Sequence, residues 1–144
     1  MTTLSNGDVI VIDNAYNVIR KSTNGGSSWT QISSLSYTSR NIVKLSNGNL
    51  LLPAWADGKI HKSTNSGVSW DAGVTVAAGI IGIVQLEDGS VLAGSSVTDK
   101  IYKSTDGGTT WDAGTTTPLT SMQSLLEIIG VAEIINRVVN WWSI

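Results

Sequence analysis

The chain has no cysteine and no phenylalanine, one histidine and two prolines among its 144 residues. Without a thiol there is no disulfide framework, no thiolate metal site and no cysteine nucleophile. A single histidine with no companion is a poor metal ligand, so no metal and no cofactor are expected. Charge is equally sparse. Nine basic and eleven acidic residues form neither the basic stripe that a nucleic acid would require nor an acidic tail. No apolar run approaches the roughly 20 residues that cross a bilayer, so no membrane span is expected. The opening residues, Met1-Thr2-Thr3-Leu4-Ser5-Asn6-Gly7, carry neither the basic nor the apolar region of a signal peptide. Localisation stays open.

What the chain does have is internal repetition. Lys103-Ser104-Thr105-Asp106-Gly107-Gly108-Thr109-Thr110-Trp111 has near copies at Lys21–Trp29 and Lys62–Trp70, so Trp29, Trp70 and Trp111 stand 41 residues apart. Gly7, Gly48 and Gly89 keep the same spacing in the phrases Leu4-Ser-Asn-Gly7, Leu45-Ser-Asn-Gly48 and Leu86-Glu-Asp-Gly89. A period of that length is one supersecondary unit, not a domain. The repeats divide residues 1–127 into about 4–44, 45–85 and 86–127, followed by a divergent tail over 128–144.

Within each nine-residue phrase, Lys-Ser-Thr ends a strand and delivers the chain into a turn. Asn or Asp followed by Gly tolerates positive φ, and the Asx side chain can accept the turn's own backbone N–H groups. The Trp that follows offers an apolar face and an indole N–H that needs a partner. The pattern Ser-x-Asp-x-Gly-x-x-Trp, with Asn admitted at the third place, resembles the Asp box, or BNR repeat. It covers Ser22, Asn24, Gly26 and Trp29; Ser63, Asn65, Gly67 and Trp70; and Ser104, Asp106, Gly108 and Trp111. In sialidases, some glycoside hydrolases, sortilin-type receptors, photosystem assembly factors and phage fibre proteins, such boxes are structural turns in β-propeller blades, remote from any active site. The resemblance therefore implies structural roles for these twelve residues and no ligand contact by Asn24, Asn65 or Asp106.

The strands can be followed in order. Asp8–Ile12 and Asn17–Lys21 pair across a polar turn, and a third strand starts around Trp29–Ile32. The second repeat adds a leading strand that the first lacks, Arg40–Leu45, followed by Asn49–Pro53, Lys59–Lys62 and Val68–Trp70. The third has Ile80–Leu86, Ser90–Ala93, Lys100–Lys103 and Thr109–Trp111. Short strands with turn signals every eight to twelve residues indicate an all-β fold. Four strands per 41 residues fit a propeller blade. Pro53, matched by Gly94, marks a bulge or blade edge. His61 aligns with Arg20 and Tyr102, and such variation of residue type reads as a solvated strand face. Trp55 and Tyr16 sit near turns, where packing is favoured over stacking on a sugar.

The end breaks the pattern. Met122–Leu126 is a surplus copy of a leading strand, and beyond it Ile128, Val131, Ala132, Ile135, Val138, Val139 and Trp142 fall within about 120° on a helical wheel. Ser124-x-x-Glu127 and Thr120-x-x-Gln123 are capping-box patterns. A helix is favoured, against a decayed fourth repeat in which Gly130 continues the spacing of Gly89.

Three blades cannot close a ring of the usual four to eight. The favoured reading is thus a noncatalytic β-propeller scaffold or binding module that completes its ring by homo-oligomerisation, two chains giving six blades, as in a phage-fibre-like or engineered repeat protein. The alternative is a carbohydrate-binding, lectin-like propeller with a glycan partner, or the remnant of a sialidase-type glycosidase. Resemblance to sialidases would imply an arginine triad, a Tyr nucleophile paired with Glu, and an Asp acid. Arg20, Arg40 and Arg137 lack the Arg-Ile-Pro context of that family, and the carboxylates mostly occupy turns. No catalytic residue is assigned.

Overall fold

The computed structural model describes residues 1–116. Twelve strands make three four-stranded antiparallel sheets, each wound in sequence order, with no helix among the described residues. The first sheet holds β1 (Thr2–Thr3), β2 (Val9–Asp13), β3 (Val18–Ser22) and β4 (Thr30–Ser34). The second holds β5 (Val43–Lys44), β6 (Leu50–Ala54), β7 (Lys59–Ser63) and β8 (Val74–Thr75). The third holds β9 (Ile80–Gln85), β10 (Val91–Ser95), β11 (Lys100–Ser104) and β12 (Thr115–Thr116). The repeat carries into the register: Ile10 faces Lys21, Leu51 faces Lys62 and Leu92 faces Lys103 across the central hairpins.

Alternation along the central strands gives each sheet two apolar faces. On one lie Ile10 and Ile19 of the first sheet, Leu51 and Ile60 of the second, and Leu92 and Ile101 of the third. On the other lie Val9 and Val11, then Leu50 and Leu52, then Val91 and Ala93. Ile10 and Ile19 pack with Leu50 and Leu52, while Leu51 and Ile60 pack with Val91, Ala93 and Tyr102. The sheets therefore stack like with like, forward face of one on rear face of the next. The middle sheet is covered on both sides, and every residue of β6 is buried.

Four expectations from the sequence are corrected. The first sheet does have a leading strand, because Thr2 and Thr3 pair with Ile10 and Val9; its two residues carry no apolar signal. In the second and third sheets the residues before Trp70 and Trp111 form no strand, and pairing starts later, at Val74 and Thr115. There the Asp71 and Asp112 carboxylates accept the Lys62 and Lys103 N–H groups at 2.9 Å each, and both carboxylates also accept a glycine N–H two residues on. The first sheet has Thr30 at this place and its strand continues directly. His61 is 5% exposed and Tyr102 is 7%, so that strand face packs between sheets and is not solvated. Tyr16, by contrast, is 73% exposed, and Trp55 is 39% exposed with Arg40 over its ring at 5.5 Å.

The reading at Pro53 and Gly94 agrees with the ladder. β5 pairs only as far as Leu51 and contact resumes as an isolated Ser39–Ala54 bridge, leaving Pro53 in the gap, while the third sheet shifts register between Gly94 and Ser95. The surplus strand over 122–126 and the helical reading of 128–144 lie outside the described residues.

Candidate functional site

The three Asx-Gly turns are built alike. Ser22, Ser63 and Ser104 are buried; each Oγ accepts from the glycine N–H four residues on, at 2.8, 2.9 and 2.8 Å. Each hydroxyl also donates to Asn24, Asn65 or Asp106 Oδ1 at 2.9 Å. That same oxygen accepts from the backbone N–H of Ser28, Ser69 or Thr110. The turn thus satisfies its own polar groups. Hydrogen bonds from Thr110, then Ser104 and the Thr109 N–H, hold the Asp106 carboxyl well below the usual carboxylate range. The predicted box residues sit together within each turn, but the three turns belong to three separate sheets and do not converge on one site.

The feature that does gather chemistry is a cleft of ≈ 580 Å³ between the first and second sheets, within the size range of ligand pockets. The segment after β4 supplies Tyr37, the β6–β7 turn Asp57, strand β7 His61, and the second turn Trp70 and Asp71. Tyr37 stacks on His61 with ring centroids 4.0 Å apart and planes 9° from parallel. A Cβ at Gly73 would lie 2.7 Å from His61 Cε1, so the ring is held from a second direction as well. His61 Nδ1 lies 3.0 Å from the Asp71 carbonyl. A carbonyl only accepts, so Nδ1 carries a proton, and in the neutral ring Nε2 is then the acceptor. Asp57 Oδ2 lies 4.0 Å from Nε2, too far for a hydrogen bond. His61 Nε2 and Trp70 Nε1 are the two buried side-chain polar atoms without a protein partner among the described residues. Burial, and then the charges of Asp57 and Asp71, hold the Tyr37 phenol well above its ordinary range.

Of this cluster only Trp70 was singled out by the repeat. Variation across the aligned positions makes His61 read as exposed, and the repeat does not point to Tyr37, Asp57 or Asp71. A signal was there: Asp57-x-x-x-His61 aligns with Thr98-x-x-x-Tyr102, and Trp70-Asp71-Ala72-Gly73 with Trp111-Asp112-Ala113-Gly114. Arg20 donates to Asp13 at 2.9 Å and Arg40 lies over Trp55, so the two described arginines serve separate local contacts. No described group of three or more His, Cys, Asp or Glu residues could hold a metal. No described helix is long and apolar enough to cross a membrane.

The sequence matches no family model and no curated protein. Solved structures do match. Virginiamycin B lyase from Staphylococcus aureus aligns at 19% identity with a TM-score of 0.67, over 82% of this chain and 40% of the lyase. YCF48 bound to D1 peptide aligns at 19% and 0.64, over 76% and 37%. A protein of unknown function from Bacteroides caccae aligns at 14% and 0.59, over 79% and 48%. The fold is that of β-propeller blades. At these identities the likeness is one of fold alone, and the chain spans less than half the length of each of the three.

Proposed function

We propose that the chain is a noncatalytic propeller module that closes its ring by self-association, two chains giving six blades. The observation that carries this is the unequal cover of three equivalent strands. Val9–Asp13, Leu50–Ala54 and Val91–Ser95 are apolar on both faces at their centres, yet only the middle strand is buried throughout. Among the described residues, the rear face of the first blade, with Val9 and Val11, and the forward face of the third, with Ile81, Val84 and Ile101, have no blade against them and stay partly exposed. These two faces are of the kinds that already stack twice within the chain, so a second copy can repeat the same contact.

The glycines tell the same story. A Cβ at Gly108 would touch Leu51 and one at Gly67 would touch Ile10, whereas one at Gly26 would meet only its own Trp29. In a closed ring Gly26 faces Leu92 of the second copy. A lyase and a peptide-bound protein share this architecture, so fold does not choose between catalysis and binding. The noncatalytic choice rests on the dispersed arginines and on turns whose carboxylates are spent on their own backbone. On this reading the twelve turn residues are structural Asp-box positions, and 4–44, 45–85 and 86–127 are the blade repeats ahead of the tail. Ile101→Asp, which places a charge on the forward face of the third blade, should halve the mass in solution while the far-UV spectrum stays β. Unchanged mass would refute the interface.

A further inference from the structure

The repeat provides its own control for the cleft between the first and second sheets, since the third sheet shows what the same positions do when they are satisfied. There, the residue matching His61 is Tyr102, and its hydroxyl lies 3.1 Å from Thr98 Oγ1, a hydrogen bond four residues back along the chain. In the second sheet the pair is His61 and Asp57, whose Nε2 and Oδ2 stand 4.0 Å apart with no hydrogen bond between them. The indoles differ in the same way. Trp111 Nε1 donates to the Gly108 carbonyl at 3.3 Å. The matching carbonyl of Gly67 accepts instead from Ser33 Oγ of the first sheet, at 2.9 Å, and Trp70 Nε1 is left without a partner. Both departures leave an unsatisfied buried polar atom on a residue that lines one cleft. Random drift from a satisfied repeat would cost stability at each position, so two such atoms on residues that line the same cleft point to a ligand that satisfies both.

The chemistry of that ligand follows from what is missing. His61 Nε2, on a side chain 6% exposed, lacks a donor when the ring is neutral, the 42%-exposed Asp57 carboxylate stands 4.0 Å from it, and Trp70 Nε1 lacks an acceptor. Two carboxylates, Asp57 and Asp71, line the cleft against one ammonium, that of Lys59, which donates to the Ala72 carbonyl at 3.3 Å. Aromatic walls beside a negative centre suit a cation. We infer that the cleft binds an ammonium or guanidinium group, as on the lysine or arginine side chain of a peptide, which donates to His61 Nε2 and Asp57 Oδ2 together while a carbonyl carried with it accepts from Trp70 Nε1.

The test reads the atoms concerned. In a ¹⁵N-labelled full-length chain, the Trp70 indole resonance is assigned by its loss in Trp70→Phe. The chain is then titrated with N-acetylarginine amide, N-acetyllysine amide, uncharged N-acetylnorleucine amide and glucose. The cationic amides should move the Trp70 indole resonance and leave that of Trp111 in place, while norleucine amide and glucose leave both. Asp57→Asn keeps an Oδ1 to accept the Lys59 N–H, now bonded at 3.1 Å, so the turn survives, and affinity should fall about tenfold or more with the charge-assisted bond. No response to either cation would overturn the inference, and so would an equal response to norleucine amide or glucose, or full affinity in Asp57→Asn. The cleft lies within one chain, so none of these outcomes depends on the mass in solution.

Discussion

Gly108 and Gly89 have the same backbone angle, φ +84°, but different surroundings. A Cβ on Gly89 meets nothing within 4 Å; on Gly108 it would lie 2.9 and 3.0 Å from the two Leu51 methyl carbons. Replacing either by alanine imposes the left-handed penalty of about 1–2 kcal/mol. Only Gly108→Ala also drives a methyl into the core formed by the second and third sheets, where Leu51 is 0% exposed and cannot swing into solvent. Such overpacking adds about 1–3 kcal/mol. Gly89→Ala should therefore cost about 1–2 kcal/mol and Gly108→Ala about 2–5, read from urea midpoints at unchanged m. A double-mutant cycle with Leu51→Ala should return part of the difference, because the smaller side chain makes room. Equal costs for the two glycines, or strict additivity with Leu51→Ala, would refute the claim that the third turn seats against the second blade.

Ser63→Ala removes the only hydroxyl that accepts the buried Gly67 N–H and should cost about 1–3 kcal/mol in chemical denaturation, whereas exposed Thr64→Ala stays within about 0.5 kcal/mol. Asp106 alone among the three turn Asx residues titrates, and its folded-state pKa lies below the ordinary 3.8. Its contribution is complete above that value and is lost as pH falls from 3.8 toward the lower folded-state value. Asp106→Asn should accordingly flatten the loss of stability in that acid window, and a denaturation midpoint that falls as steeply as in the parent would argue against the hydrogen-bonded carboxylate. The carboxylate is solvent-exposed, so the change is expected to be small.

Much of the architecture was legible in the sequence because a repeat displays its own alignment. The six central strands, β2, β3, β6, β7, β10 and β11, fall within one or two residues of where Val, Ile and Leu alternation between turn signals puts them. The misses have local physical causes. Asp71 and Asp112 replace a main-chain acceptor with a side chain, so apolar pattern and turn chemistry disagree about where the outer strand starts. β1 consists of two threonines, too short for any periodicity. Variation across aligned positions makes His61 read as solvated, whereas the surroundings of that position differ from blade to blade: Arg20 pairs with Asp13 on a face that no described blade covers, His61 lies under Tyr37, and Tyr102 packs against the second sheet. The cleft itself was hidden, since Tyr37, Asp57, Asp71 and His61 meet only once the first two sheets stack.

The most direct test of the central claim is the mass of the full chain by light scattering across a range of concentrations. Self-association of unmatched blade faces predicts twice the 15.2 kDa of one chain, falling to one chain in Ile101→Asp with the β spectrum retained. A parent protein that stays at 15.2 kDa, compact and soluble at every concentration, would contradict it.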